Sequence, residues 1–302
     1  LAKKDYSGAI RDFEKLVYLY GERADAYVAL GYACYLDKRY ERAILVFKQA
    51  LNFDQRHAAA LNNLMLAVGK RASQQTQELE FSEAINLLAS TEKQYPSHPQ
   101  SVVLHYAQGQ LEFFRGNEAA GLKDWEQVAK RAPGSGTAKF IEAYKLYAAG
   151  RPKQALPVMQ AAQAKLPKEP VVRNYLALIL SELGRNKEAL GQLQKAQQGN
   201  PPPPYIDLFT NQAMVQLKMA DLEGAQASLI KARDLRPDFA SVHLWLAALR
   251  RHSGDAEGSK KELGLALSDV PQPALLVSGE VGKSVWVDND YLGISPVGAF
   301  VK

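Results

Sequence analysis

Any chemistry in this chain of 302 residues would have to come from five histidines, a single cysteine and a few closely grouped acids. The histidines are His57, His98, His105, His243 and His252, and no two of them stand at metal-ligand spacing with a carboxylate or thiolate partner. The segment Asp288-Asn289-Asp290-Tyr291-Leu292-Gly293 mimics the front of a calcium-binding loop. Leu292 stands where the fifth ligand belongs, however, and Ala299 where a bidentate Glu is required, so a hairpin turn is the better reading. Cys34 has no partner for a disulfide and falls in an apolar helical slot, which suits packing rather than nucleophilic chemistry. There is no GxSxG, no phosphate-binding glycine loop and no Cys/His nucleophile pair. The expectation is a chain that is not an enzyme and holds no cofactor and no metal.

Composition narrows the partners. The chain is 47% hydrophobic and 23% charged, as an ordered protein should be. A net charge of +5 could suit nucleic acid, but lysines and arginines are scattered over polar faces, in runs no longer than Lys3-Lys4, Arg250-Arg251 or Lys260-Lys261. Nucleic acid is therefore not expected. No stretch approaches the roughly 18 apolar residues of a membrane span, so no transmembrane segment is expected in this fragment.

The elements that must position any site follow from periodicity. Residues 24–57 read as two short amphipathic helices broken at Asp37-Lys38-Arg39, with Tyr27, Leu30, Gly31 and Cys34 on one helix and Ala43, Phe47 and Ala50 on the other. Each is near the ~12–15 residues below which an isolated helix is marginal, so the pair needs neighbours of its own kind. The chain supplies them. A small residue opens the second helix at Ala9, Ala43, Ala84, Gly121, Ala155, Ala189, Ala225 and Ser259, at spacings of 34, 41, 37, 34, 34, 36 and 34. Four residues on stand Phe13, Phe47, Leu88, Trp125, Met159, Leu193, Leu229 and Leu263. Twelve residues after the opening residue a proline stops the helix at Pro96, Pro133, Pro167, Pro201, Pro237 and Pro271. The glycine of the turn between the helices recurs as Gly116, Gly150, Gly184 and Gly254, replaced by Lys38 and Ala220 elsewhere.

This grammar resembles the tetratricopeptide repeat (TPR) family. The resemblance implies a mostly α fold, a right-handed α-solenoid of about 7.5 helix pairs over residues 1–271, with a truncated first repeat and seven further ones. The third unit carries seven extra residues, 72–78, which could lengthen the helices or form a polar loop. The run from Pro201 to Pro204 should be a short polyproline segment. Because residue 1 falls inside a repeat, the chain is expected to be a fragment of a longer protein.

After residues 271–273 the pattern changes to a two-residue period, with Leu276, Val285, Val287, Val297 and Phe300 as strand formers and Asn289-Asp290 as a turn. Residues 272–302 resemble the start of the PEGA domain, a small bacterial β module of envelope and surface proteins, through Val285, Val287, Asp288, Gly293, Ser295 and Pro296. The naming tetrapeptide is not kept; only Gly282 of it stands in place. The expected fold is thus a solenoid followed by a short β segment, an incomplete PEGA-like sandwich. That likeness implies a bacterial periplasmic or envelope location, with the cytoplasm as alternative and membrane association possible through missing parts.

In the TPR family the first helices line a concave groove, and their second, fifth, ninth, twelfth and thirteenth positions face a bound partner. By that register the partner-binding residues expected here are Tyr32, Tyr35, Tyr106, Gln110, Phe113, Phe140, Tyr144, Tyr147 and Asn174. Tyr106, Phe113, Tyr144 and Tyr147 are expected on one strip, with Gln110 and Asn174 hydrogen-bonding a partner's backbone. The paired Lys and Asn with which some members hold C-terminal carboxylates are absent from the fifth and ninth positions of the second to fifth units. His105 and His243 take the slot where the family prefers Trp. The function implied is a non-catalytic scaffold binding a protein or peptide, with an accessory part of a larger enzyme, secretion or outer-membrane machine as the alternative.

Overall fold

A computed structural model describes residues 5–21, 23–77, 80–96, 101–198 and 203–267, together with the backbone of 275–278, 284–287, 290–294 and 298–301. The chain divides into two units, Leu1–Ile141 and Glu142–Lys302. The first contains α1 (Tyr6–Leu19), α2 (Ala24–Leu36), α3 (Tyr40–Phe53), α4 (Ala58–Gln77), α5 (Phe81–Gln94), α6 (Ser101–Phe114) and α7 (Glu118–Arg131). The division falls within α8 (Gly136–Ala148). The boundary expected at residues 271–273 lies outside the described residues. The second unit continues with α9 (Pro152–Lys165), α10 (Pro170–Glu182), α11 (Asn186–Ala196), α12 (Ile206–Lys218), α13 (Leu222–Leu235), α14 (Ala240–His252) and α15 (Ala256–Leu267).

Helices form where the sequence places them because each is bounded by its own chemistry. Asp5, Asn117, Asp221 and Asp255 each accept a hydrogen bond from the backbone N–H three residues on, capping α1, α7, α13 and α15. Six of the first helices end on a left-handed residue. Gly116, Gly150, Gly184 and Gly254 have φ of 88°, 71°, 75° and 84°, and Lys38 and Ala220 adopt the same conformation at 61° and 60°. The residue after each donates its N–H back five residues, as Arg39 does to Cys34 and Asp221 to Gln216, both at 2.9 Å. This is the Schellman closure, and it fixes the turn into every second helix that follows.

The seven extra residues of the third unit lengthen the first helix: α4 runs for 20 residues where α2 runs for 13. Gln and Ala are good helix formers, and no turn residue interrupts them. Residues 78 and 79 lie outside the described residues, as do Pro201 and Pro202 of the expected polyproline run.

Within the first unit, α2 packs on α3, α4 on α3 and α5, and α6 on α5 and α7, while first helices also meet directly, α2 with α4 and α4 with α6. The core is built from the repeated positions. Ala43, Phe47, Ala50, Ala84, Leu88 and Trp125 are fully buried. The second unit buries Ala155, Met159, Ala162, Ala189, Leu193, Ala225 and Leu229 in the same register.

Beyond the helices, four short strands among the described residues pair antiparallel in two ribbons. β1 (Leu275–Ser278) pairs with β4 (Gly298–Val301), and β2 (Ser284–Val287) with β3 (Asp290–Ile294). Val287 faces Asp290, which leaves Asp288 and Asn289 as the intervening pair, outside the described residues.

Candidate functional site

The residues expected to line a binding face separate into exposed, half-buried and core positions. Phe113 and Phe140 are core. They are 1% and 0% exposed and pack edge-on to the buried Trp125, at ring separations of 5.1 and 4.8 Å. Trp125 is the cause: an indole four residues after the opening Gly121 is larger than the Phe, Leu or Met found there in other repeats, and it draws neighbouring rings inward. Its Nε1 donates to the Tyr106 carbonyl at 2.9 Å, and the Tyr106 ring stacks on it at 5.3 Å with 5° between planes. Tyr106 is left half-buried, and so is Gln110.

Asn174, expected at the face, is 2% exposed. Its Nδ2 donates to the Tyr205 hydroxyl at 3.0 Å and its Oδ1 accepts from Asn211 at 2.9 Å. Both ends of the amide serve the junction of α10 with α12. Tyr144 and Tyr147 in the second unit are half-buried, and Tyr144 meets Tyr175 of α10 edge-on at 5.5 Å.

Tyr32 remains toward solvent, and Tyr35 beside it is half-buried. Tyr32 is 42% exposed and stacks on Tyr35 at 6.3 Å, which in turn meets Tyr40 at 5.7 Å. The sequence reading passed over two neighbours in the same first-helix register. Leu66, at the ninth position of its repeat, is 48% exposed, and Val103, at the second position of its repeat, is 60% exposed. The signal was present, since both positions are partner-facing in the family. A search for aromatics alone passes over aliphatic residues. The first unit therefore carries Tyr32, Leu66, Val103, Tyr106 and Gln110 on three first helices, of which α4 contacts both others.

His243 and His105 are occupied structurally. His243 Nδ1 lies 2.6 Å from Glu262 Oε2, and its Nε2 lies 2.8 Å from the Pro237 carbonyl oxygen. Arg233 and Arg250 approach the other oxygen of Glu262 at 3.6 and 3.4 Å. His105 stands in the equivalent slot between Glu92 at 3.3 Å and Asp124 at 3.6 Å. Among the described residues no group of three or more His, Cys, Asp or Glu could hold a metal ion. Burial pushes the Cys34 thiol up from its ordinary value, against the opposing pull of Arg42 and Arg39. That is the setting of a packing cysteine rather than of a nucleophile. No described helix is long and apolar enough to cross a membrane.

A tetratricopeptide repeat family model matches residues 1–61 and 106–170, and a second model of the same description matches residues 146–209. Together they cover more than half of the chain, and both end before the strands. No curated protein matches the chain. Among solved structures it is similar to the Cut9–Hcn1 hetero-tetramer of the APC/C, at a TM-score of 0.53 and 16% identity over 89% of this chain and 50% of that one. It is also similar to PilF of Pseudomonas aeruginosa, at a TM-score of 0.46 and 23% identity over 57% of this chain and 78% of that one. A third likeness is to a tetratricopeptide repeat protein from Parabacteroides merdae, at a TM-score of 0.44 and 16% identity, over 88% and 94% of the two chains. At these identities the likeness bears on the fold alone. The small opening residues, the left-handed turns and the family matches converge: the chain belongs to the tetratricopeptide repeat family.

Proposed function

We propose that this chain is a non-catalytic scaffold that binds a segment of a partner protein on the first-helix face of its first unit. Tetratricopeptide repeats typically mediate protein–protein interaction, and the carrying observation is the pair Tyr32 and Leu66. They occupy the same repeat position on contacting helices and are 42% and 48% exposed, whereas Gln110 and Tyr144 at that position of the next two repeats are half-buried. Large apolar side chains held out of the core on a rigid element mark a surface for association. Tyr35, Tyr106 and Gln110 flank them, half-buried and able to contribute an edge or an amide.

The envelope location and the PEGA-like reading of residues 272–302 rest on sequence likeness at Val285, Val287 and Gly293 and belong to this proposal as well. The test of the binding face is a double substitution, Tyr32→Ala with Leu66→Ser, in the full chain. Both side chains are partly solvated, so the helical circular dichroism should persist. Binding of a natural partner should weaken at least tenfold, as loss of about 2 kcal/mol at two hot spots implies. Unchanged partner affinity in the folded variant would refute the assignment.

A further inference from the structure

The second helices do not all open alike. Asp5, Asn117, Asp221 and Asp255 cap α1, α7, α13 and α15. At the same place α3, α9 and α11 carry Arg39, Arg151 and Arg185, and none of these side chains caps its helix. An arginine there gives up the cap and sets a cation against the positive end of the helix dipole, so it works against stability. Two of the three are compensated: Arg39 Nε lies 2.7 Å from Asp37 Oδ2, and Arg185 Nε lies 2.6 Å from Glu188 Oε1. Arg151 has Gln154, not a glutamate, three residues on, and residues 143–168 hold five cations and no acid. Among the described residues no carboxylate pairs with Arg151, nor with Lys153 and Lys187, which stand two residues past the arginines of α9 and α11.

The fold brings these cations to one edge of the second unit. α10 packs on both α9 and α11 and is joined to them only by residues 166–169 and 183–185, so it runs antiparallel to each. The starts of α9 and α11 therefore lie at the same end of α10, its C-terminal end. The same backbone closure fixes both: the Arg151 N–H donates to the Leu146 carbonyl at 3.0 Å, and that of Arg185 to Leu180 at 2.9 Å. With packed helices about 8–10 Å apart, the two turns are separated by no more than about 20 Å. Arg151, Lys153, Arg185 and Lys187 are all exposed. The acids of that edge are already engaged, Glu188 by Arg185 and Glu182 by Lys218 at 3.9 Å. No large apolar side chain of α9, α10 or α11 is exposed, so the edge offers nothing to stack on a base or to enter a bilayer.

We propose that this edge is a second interaction surface, which docks an acidic segment of a partner protein across the turns at Arg151 and Arg185. Arg151 and Lys153 hold one acidic group of the segment, and Lys187 with Arg185 holds the other. An extended chain rises about 3.3 Å per residue, so the two acidic groups stand about six residues apart in the partner. The surface uses none of the residues of the face proposed above and stands or falls apart from it.

The test uses the full chain and a labelled eight-residue Ser/Gly peptide with a Glu pair at each end, followed by fluorescence anisotropy at low salt. A peptide with Lys pairs and a short oligothymidine serve as comparisons. The Glu peptide should bind, the Lys peptide should not, and added salt should weaken the complex. Arg151→Glu with Lys153→Glu should weaken binding about tenfold. Lys260→Glu with Lys261→Glu changes the net charge equally at exposed positions of α15 and should leave the affinity within about twofold. Arg151→Asp should weaken binding yet raise the melting temperature, because it restores the cap that Asp221 and Asp255 make. Equal losses from the two double variants would reduce the effect to net charge and overturn the proposal. So would no binding of the Glu peptide, tighter binding of the oligothymidine, or a lower melting temperature in Arg151→Asp.

Discussion

Gly109 and Trp125 meet where α6 crosses α7, so closely that a β-carbon on Gly109 would stand 2.7 Å from the indole nitrogen and 2.9 Å from the Gly121 carbonyl oxygen. Gly121 answers on the opposite helix, where a β-carbon would lie 2.8 Å from Phe113. Backbone and ring thus fill the space that side chains fill elsewhere. Gly109→Ala should overpack this crossing and destabilise the first unit by about 1–3 kcal/mol. The same substitution at Gly69 meets open space and should stabilise by up to about 1 kcal/mol. Opposite signs in urea denaturation would bear out both readings; destabilisation by Gly69→Ala would show an unrecognised packing role there.

Lys38 and Ala220 hold the left-handed turn conformation that glycine provides in four other repeats. A side chain with a β-carbon pays about 1–2 kcal/mol there, part of which glycine returns in unfolded-chain entropy. Ala220→Gly should therefore raise stability by roughly 0.5–1 kcal/mol. A melting temperature that falls would mean the turn is held by contacts of the methyl group.

These turns, the caps and the small crossing residues were legible because each is a local rule repeated in register. The face was legible only in part. Register predicts which way a first-helix position points in an average repeat, and Tyr32 follows it. It cannot foresee that Trp125 enlarges one second helix and carries Phe113 and Phe140 into the core, or that Tyr205, just before α12, reaches back to take Asn174. Both exceptions come from a large residue on a neighbouring element. The length of α4 was open for a related reason: residues 72–77 favour helix by propensity, but nothing local said where the helix should stop.

Cys34 is fully buried beneath the α2–α3 crossing, with its thiol held protonated by burial. Alkylation by iodoacetamide at neutral pH should be negligible in the native chain and complete in denaturant. Raising the pH should increase the native rate only above the ordinary thiol range, because the thiolate is the reacting species and burial raises the pKa. Rapid labelling of the folded chain at neutral pH would contradict this.

His243 sits between the Glu262 carboxyl group and the Pro237 carbonyl, in a site where both side chains are 4% exposed. His243→Leu would leave that carbonyl without its donor, while Arg233 and Arg250 stay near Glu262. The expected loss is about 1–3 kcal/mol in the second unit, read from hydrogen exchange in α14 and α15. Protection that is unchanged would show the pair to be energetically neutral.

The central claim is that a partner lies on the first-helix face of the first unit, and a photocrosslinking residue placed at single positions in cells reads this directly. Position 66 lies on that face, 48% exposed; position 45, on the second helix α3, is still more open at 64%. The account predicts discrete crosslinked adducts from position 66, lost when Tyr32 is also replaced by alanine, and none of the same mass from position 45. Adducts from position 45 alone, or the same adducts from both positions, would contradict it.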